Sequence, residues 1–134
     1  MIDVSHTVQT KSDQLNADDL IGGDLMIQVE GVRVVNDPQQ PVHIYYYGCE
    51  GKPFKPCLTV RKILVGLWGK DAEQWGGRWM NLYLDNSVKW AGKEVGGIRV
   101  NALSHIQSAA TVSVVVRRGA KQQFVIQPIP LEGN

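Results

Sequence analysis

Apolar and polar residues alternate from Asp24 to Val35, with Leu25, Ile27 and Val29 on one face of a strand. At Gly31 the phase slips by one residue, and Val32 and Val34 take over the apolar positions. A one-residue slip at a glycine predicts a β-bulge. Long, bent first strands of this kind serve both sides of small closed barrels. A turn, NDPQQP at 36–41, leads to a second strand over 42–48 that is rich in β-formers. The period then becomes helical. Val60, Ile63, Leu64, Leu67 and Trp68 form one stripe, so a helix is predicted over 60–68, with Thr59 as N-cap and Gly69 as its stop.

Alternation resumes over 78–84, where Met80, Leu82 and Leu84 form the predicted core face and Trp79, Asn81 and Tyr83 the opposite one. SVKWAGKEVGGIRV reads as a hairpin with Ala91-Gly92 near its tip, and residues 111–118 and 122–129 pair around Gly119-Ala120. This order is expected to give a mainly β fold: an OB-fold-like small β-barrel with one central helix and an extra C-terminal hairpin. Residues 1–16 are polar and aperiodic and are expected to form a flexible N-terminal arm before a single OB-like domain over 17–131.

At 134 residues, with 43% hydrophobic and 20% charged side chains, the chain is long enough for one domain with a real core. No apolar run approaches the roughly 20 residues that span a bilayer, and the N-terminus lacks the layout of a signal peptide. A cytosolic protein with no membrane partner is expected. The formal net charge is +1, but residues 1–40 carry two basic and seven acidic side chains, against twelve and six in residues 41–134. Such asymmetry can give one surface a positive field despite a near-neutral total. Cys49 and Cys57 are expected to be free thiols in a reducing compartment.

Chemistry is sparse. His6, His43 and His105 are scattered outside any metal-ligand spacing, and no phosphate-binding loop motif is present. No enzyme activity, metal or cofactor is expected. Binding residues are better represented. All four tryptophans lie between Cys57 and Val100, interleaved with seven basic side chains. Rings that stack on bases and cations that follow phosphates are what single-stranded nucleic acid requires. Trp68 completes the helix stripe and belongs to the core, and Trp75, before Gly76-Gly77, is read as a packing anchor under a loop. The candidate base platforms are Trp79, Tyr83 and Trp90, joined by Tyr46 from the run Tyr45-Tyr46-Tyr47. Arg78, Lys89, Lys93, Arg99, Arg117 and Arg118 are the candidate phosphate contacts.

The segment WGKDAEQWGGRWMNLYLDNSVKWAGKEVGGIRV resembles a family of small phage-encoded proteins. Gly69, Asp71, Trp75, Gly77 and Arg78 follow the family's post-helix pattern. Leu82-Tyr83, Gly92-Lys93 and Ile98-Arg99-Val100 match its strands and hairpin. The resemblance covers roughly residues 20–104. It implies an OB-fold domain encoded near phage replication or recombination genes, acting on single-stranded DNA in the cytoplasm of a bacterial host. Phage recombination or host replication proteins are implied partners, and a homo-oligomer is compatible with it. The long acidic C-terminal tail of bacterial single-strand-binding proteins is not found in this sequence, so tail-mediated recruitment of host repair enzymes is not expected. The rival expectation is a protein-interaction module that binds and modulates a host or phage protein, favoured by the acidic first forty residues. A further alternative is an enzyme subunit whose catalytic residues lie on another chain.

Overall fold

Strand β1 (Leu25–Val34) turns its alternating apolar residues inward, leaving Ile27 and Val29 buried, and shifts register between Val29 and Gly31 where it pairs with β2 (Val42–Tyr46). The slip at Gly31 is therefore a bulge. It lets one strand pair with two partners, β2 along its second half and β3 (Trp79–Asp85) along its first. The computed structural model describes residues 13–90, 93–94 and 97–131, with the short pair β4 (Lys89–Trp90) and β5 (Lys93–Glu94) described by its backbone. The remaining strands are β6 (Gly97–Leu103), β7 (Ala110–Arg117) and β8 (Ala120–Pro128).

Six strands form one sheet in the order β2-β1-β3-β6-β8-β7. All neighbours are antiparallel except β6 and β8, which run parallel at Ala102–Gln127 and Leu103–Pro128. The fold is mainly β with one helix, as expected, but the sheet is not closed into a barrel: its order ends on β2 and β7. The free edge of β2 carries a single bridge, Ile44–Phe54, with backbone bonds of 2.8 and 2.9 Å in the two directions. Pro53 and Pro56 flank Phe54 and supply no N–H, so a third ladder cannot grow from that bridge.

Helix α1 (Leu58–Trp68) buries Val60, Ile63, Leu64 and Trp68, as the stripe predicts. Full burial of each of the three aliphatic residues stabilises by about 1.5–3 kcal/mol. The helix stops at Gly69, whose φ of 90° is a conformation that L side chains rarely adopt. Its start differs from expectation. Cys57 is the N-cap, and Thr59 lies buried in the first turn. The C-terminal hairpin is no appendage, because Val114, Phe124 and Ile126 belong to the same core as Met80, Leu82, Val100 and Leu103, and α1 lies against β7.

Of the arm expected over 1–16, residues 1–12 lie outside the described residues. Leu15 is a core residue, and its N–H donates to the carbonyl of Pro53 at 3.0 Å. The packed body therefore includes residues before the expected boundary at 17. Asn16 and Asp19 form a capping box on a short turn, Ala17–Leu20, that tucks Leu20 into the core. Both cysteines are free. No helix among the described residues is long and apolar enough to cross a membrane.

Candidate nucleic-acid interface

Period-2 alternation in β3 sends Met80 and Leu82 inward and leaves Trp79, Asn81 and Tyr83 half-buried on the opposite face. Register then sets their neighbours. Gln28 and Met26 of β1 stand beside Trp79 and Asn81, and Arg99 of β6 stands beside Tyr83. A bulge between Asn81 and Leu82 gives β6 one extra residue, Asn101, on this stretch. Asn81 Nδ2 donates to Asn101 Oδ1 at 2.8 Å and to Asp24 Oδ2 at 3.0 Å.

Trp79 is held from behind. Its backbone N–H donates to Ser104 Oγ at 2.8 Å, and the Ser104 N–H returns a bond to the Trp79 carbonyl at 2.9 Å. Ser104 is fully buried, and its Oγ also lies 2.7 Å from His105 Nδ1. With Met26, Ile129, Pro130 and Leu131, Trp79 lines an open depression of about 380 Å³. Met26 is 45% exposed and Leu131 41%.

Apart from Arg99, which stands beside Tyr83, the other candidates among the described residues do not converge on these rings. Tyr46 is only 9% exposed and packs in the core, so it offers no base platform. Arg78 is drawn to Trp68: its Cζ lies 5.4 Å from that ring's centroid, and Nη1 donates to the Trp68 carbonyl at 3.4 Å. Arg99 Cζ lies 5.7 Å from the Phe124 centroid, with Nη1 3.5 Å from Cys57 Sγ. Arg117 and Arg118 are exposed at the β7–β8 turn, near Lys121, while Lys62 of α1 donates to the Val115 carbonyl at 3.5 Å. The side chains of Lys89, Trp90 and Lys93 lie outside the described residues. Trp68 and Trp75 are core, their ring centroids 5.8 Å apart.

Asp24 and Asp85 flank the Asn81–Tyr83 stretch, so among the described residues acidic side chains stand beside the rings as well as Arg99. Burial pushes the Tyr83 phenol above the ordinary tyrosine range, the nearby Asp85 adds to the rise, and Arg99 opposes it. Burial likewise raises Tyr46. The neutral phenol is thus favoured in the folded chain. Its contribution is complete below the unfolded pKa of about 10 and is lost as pH rises through the folded values. An absorbance titration should show these two phenols ionising late and native stability declining over that alkaline interval. Ionisation of Tyr46 and Tyr83 at the unfolded value, before any unfolding, would contradict their burial.

Sequence reasoning missed three features of the surface: the Asp24–Asn81–Asn101 amide network, the Ser104–His105 support behind Trp79, and the gathering of Lys55, Cys57 and Arg99 along a cleft at the start of α1. The first depends on the β3–β6 bulge, for which the sequence carries no periodic signal. Among the described residues, no group of three or more His, Cys, Asp or Glu is placed to hold a metal ion. Compared with known proteins, the chain matches no family model, no curated protein and no solved structure. The described residues define a mainly β protein with a six-stranded mixed sheet and one α-helix.

Proposed function

We propose that this chain is a non-enzymatic, OB-like protein that binds single-stranded DNA with little sequence preference, on the outer face of β3, in phage replication or recombination in the bacterial cytoplasm. The observation that carries the reading is the placement of Trp79 and Tyr83 on one strand face away from the core, with the amides of Asn81, Asn101 and Gln28 beside them. Aromatic rings seated on a strand are sequence-tolerant platforms, because every base has a π-face. A bent first strand shared by two neighbours, and a helix between β2 and β3, support the OB-like description.

Titration with oligo-dT tests it. Trp68 and Trp75 are 6% and 3% exposed, so quenching reports the remaining tryptophans. Saturable quenching is expected, with a shallow salt dependence equivalent to about one to three released counterions, since Asp24 and Asp85 offset Arg99 near the rings. No quenching and no affinity at low salt would remove the reading.

A second reading is favoured by one observation. The depression around Trp79 is lined by Met26, Ile129, Pro130 and Leu131, an apolar surface suited to a protein-interaction module that modulates a host or phage protein. Absence of DNA affinity, together with recovery of one partner protein that Met26→Asp abolishes, decides for it.

A further inference from the structure

A cleft of about 250 Å³ opens where the start of α1 meets β6. Its lining includes Asn16, Gln40, Phe54, Lys55, Cys57 and Arg99, and among the described residues that line it none is acidic. The two cations are largely enclosed: the side chain of Lys55 is 11% exposed and that of Arg99 13%. Enclosure of this kind makes each cation interact more strongly with an anion than it would in water.

Both cations are incompletely satisfied. Arg99 Nε is buried without a hydrogen-bond partner, and the nearest carboxylate oxygen, Asp85 Oδ2, stands off at 3.8 Å. Lys55 Nζ lies 3.3 Å from Asp13 Oδ1, but the Asp13 side chain is 86% exposed. A pair with one end in water is weak and readily exchanged. Helix α1 begins beside the same cleft at Cys57, with no side-chain cap and no acidic residue in its first turn. The positive end of its dipole is therefore not neutralised locally.

We infer that this cleft is a phosphoryl-binding site, in which Lys55 and Arg99 hold one phosphate group and Asp13 is the internal carboxylate that it displaces. Neither acidic neighbour lines the cleft: Asp13 pairs with Lys55 from the solvent side and Asp85 meets Arg99 only at 3.8 Å, which leaves both cations able to take up a phosphate oxygen. The volume falls below the roughly 300–1,000 Å³ of pockets that enclose whole drug-sized ligands, so the cleft suits a phosphate and not an entire nucleotide. The phosphate can be free or the terminal group of a DNA strand, and the inference does not depend on the Trp79–Tyr83 face.

Cys57 lines the cleft as an exposed free thiol, and half-buried Cys49 serves as an internal reference. Iodoacetamide labelling of the two, resolved by peptide mass, is measured in inorganic phosphate and in chloride of matched ionic strength. Phosphate is expected to slow labelling of Cys57 and leave Cys49 unchanged. Lys55→Gln and Arg99→Gln should weaken that protection roughly tenfold or more. Asp13→Asn should strengthen it about two- to fivefold. Arg99→Gln also removes packing on Phe124, so Lys55→Gln and Asp13→Asn carry the result if that variant fails to fold. Competition between phosphate and terminally phosphorylated oligo-dT, absent with the unphosphorylated oligomer, supports the site and names the strand end as its source. Protection by phosphate without that preference supports the site and names free phosphate. Protection that persists when no oligomer binds upholds the cleft while removing the DNA reading. Cys57 labelling that is indifferent to phosphate overturns the inference, whether or not DNA binds the sheet face.

Discussion

Replacing Trp68 with alanine is expected to destabilise the fold by about 3–5 kcal/mol. Trp68 is 6% exposed and ends the apolar stripe of α1. Its indole N–H donates to the Ser104 carbonyl at 2.8 Å, tying the helix to the segment that follows β6. Its ring leans on Trp75 at 59° between planes and carries the Arg78 guanidinium. Truncation therefore opens a cavity, orphans a buried carbonyl and strands a cation. A domain of ordinary stability, about 5–15 kcal/mol, would lose a large fraction of it, and Tm should fall by roughly 10–20 °C. Urea denaturation followed by far-ultraviolet circular dichroism measures the change without relying on the deleted fluorophore. Trp68→Phe and Trp75→Phe separate the contributions. The first loses a buried hydrogen bond and should cost about 1–3 kcal/mol. The second removes an indole N–H that is buried with no partner among the described residues and should cost less. A Trp68→Ala protein within about 1 kcal/mol of wild type would place that ring outside the core.

Local periodicity carried most of the element assignment because each element has one wet and one dry face. The slip at Gly31, the helix stripe ending at Gly69, the alternation of β3 and the pairing of 111–118 with 122–129 all report burial directly. Closure of the sheet was not legible, since it turns on one bridge at Phe54 and on two flanking prolines whose missing N–H groups matter only once β2 has a free edge. The helix cap was misplaced because Thr59 has the better capping chemistry, yet Thr59 lies buried inside the first turn and Cys57 takes the position.

The candidate site was less legible than the fold. Tyr46 could have been assigned inward, for it shares a strand face with Ile44, and period 2 leaves Tyr47 to point out at 59% exposure. The cations are a different matter. Arg78 and Arg99 are close to the tryptophans in sequence, but each guanidinium settles over a core ring, Trp68 or Phe124, while Arg117 and Arg118 are exposed at the β7–β8 turn. Long cationic side chains can lay their stems and guanidinium planes over apolar rings. Sequence clustering of charge therefore overstated its clustering in space.

That separation of rings from cations shapes the second large effect. Trp79→Ala combined with Tyr83→Ala is expected to weaken oligo-dT binding by about 2–6 kcal/mol, since each stacked base contributes about 1–3 kcal/mol; this is a loss of roughly 30-fold to 10⁴-fold. The two positions lie four residues apart on one face of β3, about 13 Å along the strand, so their effects should add. Neither substitution touches the backbone bonds between Trp79 and Ser104, and both rings are only half-buried, so the double variant should remain folded by circular dichroism. Its salt dependence should match wild type, because rings release no counterions. Arg117→Gln with Arg118→Gln should do the opposite: a smaller loss of affinity and a slope reduced by up to about two. A double ring variant that binds oligo-dT within twofold of wild type would remove β3 as the base platform. It would leave the apolar depression between Met26 and Leu131 as the surface whose partner is a protein.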